Sequence, residues 1–177
     1  MRLRELPLFR WFALSLGAAF ACAALSSCNT TKATPAAPSA PLVARFFLEA
    51  KRNEAGVPVT LPRSGLTITV APRPVLVEYD IVNAELVQVE LGRCLLVQLT
   101  PAASRDLYRL SVSSVGRRLV ISLNDEFLGA RQIEGAMADG TVMIFLEVSD
   151  DALPEIVTRL KQTSAELTEL ARRARKS

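Results

Sequence analysis

From Leu42 onward, apolar and polar positions alternate in short runs, the spacing of half-buried strands. Phe46, Leu48 and Ala50 fall on one side of the first run, with Arg45, Phe47 and Glu49 on the other. Leu66-Thr67-Ile68-Thr69-Val70 alternates in the same way. Pro72 and Pro74 are expected to break that run before Val75 to Tyr79, which the prolines mark as an edge or a turn. Val87, Val89 and Leu91 alternate with Gln88 and Glu90, and Gly92-Arg93 reads as a turn into Leu95, Val97 and Leu99.

The period then changes. Thr100 is placed to cap a helix with Pro101 at its first position; Ala103, Leu107 and Leu110 share one helical face, and Gly116 stops it. Arg117 to Asn124 returns to strand spacing, with Leu119, Ile121 and Leu123 on one side. Asn124-Asp125-Glu126 is a hairpin turn into Phe127 to Ile133. Ala138-Asp139-Gly140 turns again into Thr141 to Val148, whose dense apolar run predicts a central strand. Ser149 and Asp150 open a last helix that tolerates Pro154 only in its first turn. Its buried stripe is Leu153, Ile156, Val157 and Leu160, continued by Leu167, Leu170 and Ala174. Ser164 interrupts the stripe, so the helix is expected to pack early and project later. The order predicts an α+β domain over 42–177: a mostly antiparallel sheet with two helices on one face.

Ahead of this domain the pattern differs. Arg2, Arg4 and Arg10 precede an uncharged stretch, Trp11 to Ser27, rich in Ala, Leu and Phe, which is the layout of a secretory signal peptide over 1–27. Leu25-Ser26-Ser27-Cys28 resembles the bacterial lipobox, and that resemblance implies a diacylglycerol thioether on Cys28. Two or more acyl chains hold a protein stably at a membrane where one does not. Asn29, where the lipoprotein retention rule favours Asp for the inner membrane, points by the same resemblance to the outer membrane. Residues 28–41 form the lipidated cysteine and a tether, with Pro35, Pro38 and Pro41 spaced among Ala, Thr and Ser. Extended at about 3.1 Å per residue, it reaches on the order of 40 Å from the lipid surface.

Composition removes more chemistry than it adds. The 177 residues include no histidine and three cysteines, at a net charge of +3. Without histidine there is no Ser-His or Cys-His dyad and no His-ligated metal site. The charge is too small to argue for nucleic acid. No phosphate loop, metal-spaced cluster or cofactor motif occurs, and the chain reads as a non-enzyme. Cys94 is the one cysteine left in the domain, without a base to activate it, and reads as a small half-buried hydrophobe. The pairs Asp125-Glu126 and Asp150-Asp151 are explained by turn chemistry and helix-dipole complementarity. Arg117-Arg118 reads as plain surface. At the C-terminus Arg172, Arg173, Arg175 and Lys176 form the densest basic run of the domain. They complement the helix dipole and are candidates for contact with anionic headgroups or an acidic partner.

Leu95 to Leu160 resembles the head of the first periplasmic domain of the SecD and SecDF protein-export membrane proteins. The residues that carry the likeness are Val97-Gln98-Leu99-Thr100, the helix through Ala103 and Leu107, and Gly116-Arg117-Arg118-Leu119-Val120-Ile121-Ser122-Leu123-Asn124. The turn into Phe127 to Ile133 and the Gly140 to Leu146 strand continue it. The resemblance implies a ferredoxin-like head that touches or guides emerging preproteins and brings no catalytic residues. Arg131 stands where the family has a proline, and a charged helix follows where the family runs on into a membrane span. A lipid-tethered relative of the head, without the proton-driven motor, is what the resemblance leaves. Two functions fit these readings. One is a tethered module in the cell envelope, facing the periplasm, that takes protein or unfolded polypeptide by strand addition at Val75 to Tyr79 or Phe127 to Ile133. The other is a structural envelope lipoprotein acting through its basic C-terminal helix.

Overall fold

A computed structural model of the chain describes residues 40–174. The signal-like segment 1–27, Cys28 with Leu25, Ser26 and Ser27, the tether up to residue 39, and Arg175 and Lys176 lie outside the described residues.

The first run of alternation is strand β1, Ala44–Glu49, with Ala44, Phe46 and Leu48 buried and the residues between them half-buried. It pairs antiparallel with β3, Thr67–Leu76, and with β6, Arg118–Leu123. A short strand β2, Val57–Thr60, lies outside β3, and β7, Glu126–Gln132, lies outside β6. These five make one sheet in the order β2-β3-β1-β6-β7. A second, three-stranded sheet has the order β4-β5-β8, from Ile81–Val89, Gly92–Leu99 and Thr141–Ile144. Helix α1, Pro101–Ser113, packs on β5, and helix α2, Leu153–Ala174, packs on β4. The α+β reading with mainly antiparallel strands and two helices holds; the expected single sheet is two.

Strand β3 does not break at its prolines, contrary to the alternation-based expectation. β2 covers only Thr67 to Val70, so Pro72 and Pro74 fall where the outer side of β3 has no neighbour to lose a hydrogen bond. Register shifts between Phe46 and Phe47 and between Phe47 and Glu49 accompany them. A one-residue slip moves side chains to the other face. Ile68 and Val70 therefore join a small cluster with Val59, Leu61 and Val120, while Leu76 joins the main core with Phe46 and Leu95. Val75 to Tyr79 is not a strand: β3 ends at Leu76 and Glu78–Asp80 is a 3-10 turn.

Three further elements differ from the expectation. β4 begins at Ile81, and its turn into β5 is Glu90-Leu91 rather than Gly92-Arg93. β2 carries Pro58 and mostly exposed positions, so period-2 burial does not announce it. β8 is a four-residue edge strand, not a central one, although Val142 and Ile144 are fully buried.

Helix α1 forms as its cap predicts: the Thr100 hydroxyl accepts the Ala103 N–H at 3.2 Å, with Pro101 at the first position. Thr100→Ala should lose about 1 kcal/mol in a urea titration, whereas Thr100→Ser should stay near the parent. In α2, Leu153, Val157, Leu160, Thr163 and Ser164 are buried. Thr163 Oγ1 accepts the Leu42 N–H at 3.0 Å, tying the helix to the start of the domain. Ser164 is itself buried and does not interrupt the stripe, contrary to the expectation, but beyond it burial falls off as expected. Leu167 is half-buried, while Leu170 (59% exposed) and Ala174 do not continue the buried stripe.

Candidate functional site

The two sheets meet along the outer edges of β7 and β8. Leu119 and Ile121 stand opposite Arg131 and Gly129, and the Ile133 N–H reaches the Arg117 carbonyl at 2.8 Å. In an antiparallel ladder this alternation directs the odd positions of β7 to β6 and the backbone groups of Leu128, Ala130 and Gln132 outward. The Leu128 carbonyl accepts the Glu147 N–H at 2.5 Å. Among the described residues, no backbone bond meets Ala130 or Gln132 from that side. The seam between the sheets is closed at one end and open beyond it.

Glycine makes the closed end. A Cβ at Gly129 would lie 2.2 Å from the Phe145 carbonyl oxygen, so only glycine admits this crossing. Glu147, two residues on, accepts the backbone N–H groups of Arg63 at 2.8 Å and Ser64 at 2.9 Å. Arg63 in turn donates to the Val148 carbonyl at 2.7 Å. Burial would raise the Glu147 carboxyl, but these bonds and the Arg63 charge outweigh it and hold the group below the usual range. A depressed carboxylate contributes stability that is present above its unfolded value, about 4.3, and is lost as the pH falls through the lower folded value. Protection of the Arg63 and Ser64 amides, measured against their intrinsic exchange rates, should therefore fall as the pH drops below about 4, and that fall should be absent in Glu147→Gln.

At the open end, a cavity of about 500 Å³ lies between Leu91, Ala130, Met143 and Phe145. A second of about 230 Å³ continues toward Met137 and Thr141, and the two share Arg131, Gln132, Glu134 and Met143 in their walls. Arg131 Nη1 donates to the Met143 carbonyl at 2.8 Å, the only side-chain bond across this part of the seam among the described residues. Leu91 is 87% exposed and Phe145 39% exposed, both apolar groups left in water at the mouth. Glu90 and Glu134 also line the larger cavity and have no ion-pair partner among the described residues.

Of the residues singled out in the sequence, Phe127 to Ile133 is the edge strand expected, and it forms one wall of the seam. Arg172 and Arg173 are both turned onto Glu169: Arg172 through Nε and Nη2 at 2.8 Å each, Arg173 through Nε at 3.0 Å. Those bonds hold the Glu169 carboxyl below its usual range and raise Arg172. Arg117 and Arg118 are not plain surface. Arg117 donates through Nε to the Glu49 carbonyl at 2.7 Å and through Nη2 to the same oxygen, and Arg118 reaches Glu49 Oε1 at 3.1 Å. Together they buckle the end of β1 to β6. Asp125 is in a two-residue turn with φ of 47° at Asn124 and 67° at Asp125, and it meets Arg45 at 3.3 Å. Asp150 and Asp151 lie in the turn before α2. Cys94 is fully buried rather than half-buried; burial pushes its thiol up, opposed by the nearby Arg131 charge. Among the described residues, no acidic or sulfur cluster could hold a metal ion, and no helix is long and apolar enough to cross a membrane.

Of the residues around the two cavities, Leu91 reads in the sequence only as a strand position, and Glu134, Met143 and Phe145 are not singled out there. They come from three separate segments, and only the meeting of two sheets brings them together.

No family model matches the sequence, and no curated protein matches it. Solved structures do. One, described as SecDF, a membrane component that enhances protein export, is 19% identical at a TM-score of 0.52, over 68% of this chain and 62% of its own. A second, SecDF in a super-membrane-facing form, is 21% identical at a TM-score of 0.53, over 67% of this chain and 18% of its own. The chain thus spans less than two thirds of either structure. The described domain has a SecDF-like α+β fold.

Proposed function

We propose that the chain is a non-enzymatic, lipid-anchored binding module of the cell envelope. It faces the periplasm and engages extended polypeptide segments as an accessory to protein export or envelope assembly. The observation that carries this reading is the open seam: an unpaired strand edge beside an apolar cavity, on a fold shared with a protein that enhances export. Main-chain edges bind extended segments with little regard to sequence, which suits a protein that meets many clients. The lipobox-like Cys28 and the tether supply the address, with the outer membrane favoured over the inner by Asn29. Affinity purification of the tagged protein from native membranes in mild detergent, beside Cys28→Ala, tests this. Enrichment of export-channel subunits or envelope-assembly factors that is lost in the variant is the expected result; identical recovery from both sinks the anchored reading.

A second reading rests on α2. Its exposed end, with Leu170 in solvent and Arg172 and Arg173 beside it, is the part of the helix a structural partner would meet. On that reading, removal of residues 165–177 abolishes association and leaves the fold intact. On the first reading, association survives the truncation.

A further inference from the structure

We propose that Arg131 is a latch across the seam. When its guanidinium leaves the Met143 carbonyl, the two cavities merge into one trough that takes an extended segment combining apolar and basic side chains. The inference rests on the polypeptide-binding reading and adds to it the class of segment bound and the residue that controls entry.

The placement of Arg131 carries the first part. Its guanidinium is held on the Met143 carbonyl, and its side chain forms a wall of both cavities. That carbonyl belongs to the outer edge of β8, because its partner on β5 is Leu96 and the Arg131 bond comes from the other side. The latch therefore occupies an acceptor that an incoming backbone N–H would need. Release leaves Met143 on one wall and the outward groups of Ala130 and Gln132 on the other, all available to an extended backbone.

Charge complementarity carries the second part. Leu91 and Phe145 present apolar surface at the mouth, and Glu90 and Glu134 flank it without cationic partners among the described residues. Arg131 is the one cation among the residues lining either cavity. A basic segment pairs with the free carboxylates and meets repulsion from the latch until the latch moves. An acidic segment is repelled by the carboxylates in either state.

The full lipidated chain in detergent, titrated with fluorescent ten-residue peptides of alternating Leu-Lys, Leu-Ser and Leu-Glu, tests both parts by anisotropy. The order expected is Leu-Lys tightest and Leu-Glu weakest. A hydrogen bond from a charged donor is worth enough that Arg131→Ala and Arg131→Gln should tighten Leu-Lys binding roughly tenfold. Asp139 also lines the second cavity without an ion-pair partner among the described residues. Glu90→Gln, Glu134→Gln and Asp139→Asn together should therefore remove the preference for Leu-Lys over Leu-Ser while leaving Leu-Ser binding unchanged. Circular dichroism confirms that each variant is folded. Unchanged or weaker binding in both Arg131 variants overturns the latch, and a preference for Leu-Glu overturns the charge assignment. Binding that survives Phe145→Asp and Leu91→Asp together places the peptide elsewhere, which defeats the trough but not the wider reading. If folded native chain and Arg131 variants bind none of the peptides, the polypeptide-binding reading fails with it.

Discussion

Gly129→Ala should destabilise the domain by about 3 kcal/mol, toward the upper end of what overpacking costs. The added methyl would meet the Phe145 carbonyl oxygen at 2.2 Å and its carbon at 3.3 Å. Those are backbone atoms, so no rotamer change relieves the overlap. The strand end cannot withdraw freely either, because the Glu147 N–H is bonded to the Leu128 carbonyl one residue away. The alternatives are to break that bond or to part the sheets, and both expose core. Gly135 is the control: nothing lies within 4 Å of a Cβ there, and its φ is not in the left-handed region. Gly135→Ala should stay within about 0.5 kcal/mol of the parent. Urea midpoints at constant slope measure both; equal midpoints for the two variants would show that the crossing at Gly129 is not as tight as described.

The second large effect is expected at Phe46, which is fully buried in the main core between β3 and β6. Phe46→Ala removes a ring from a packed interior and leaves a cavity, at a cost of about 4 kcal/mol. Single domains are stable by roughly 5–15 kcal/mol, so the variant should be marginal at room temperature. Its neighbour gives the comparison. Phe47 points to the other face, half-buried, with its ring 5.3 Å from that of Phe127. Phe47→Ala loses one aromatic contact and partial burial, so it should cost clearly less. A reversal of that order, read from thermal or urea unfolding, would mean that β1 is in the opposite register.

These contrasts also show where the sequence was informative. The parity of β1, the Thr100 cap and the loss of burial toward the end of α2 were legible, because each depends on neighbours within one turn or one strand, although Ser164 lies on the buried face and does not break it. Pro72 and Pro74 misled, because whether a strand tolerates proline depends on how far its neighbour extends, and β2 stops at the residue paired with Thr67 at one end and Val70 at the other. Thr141 to Val148 misled in another way. Val142 and Ile144 are buried by the core beneath an edge strand, and an apolar run does not distinguish that from burial between two strands. The seam itself was half legible. Its β7 wall and the presence of Arg131 could be read, but the partner of Arg131 is a backbone carbonyl on a strand twelve residues further on. Backbone acceptors carry no sequence signature.

On the proposed function, the seam between β7 and β8 is where polypeptide is engaged. Photo-crosslinking in native membranes addresses it most directly, with benzoylphenylalanine placed at Phe145 and, as a control on an exposed face of α1, at Tyr108. The account predicts adducts with extended or newly exported polypeptide from position 145, little from position 108, and loss of those adducts in Cys28→Ala. Adducts from position 108 alone, or equal yields from both positions, would contradict it.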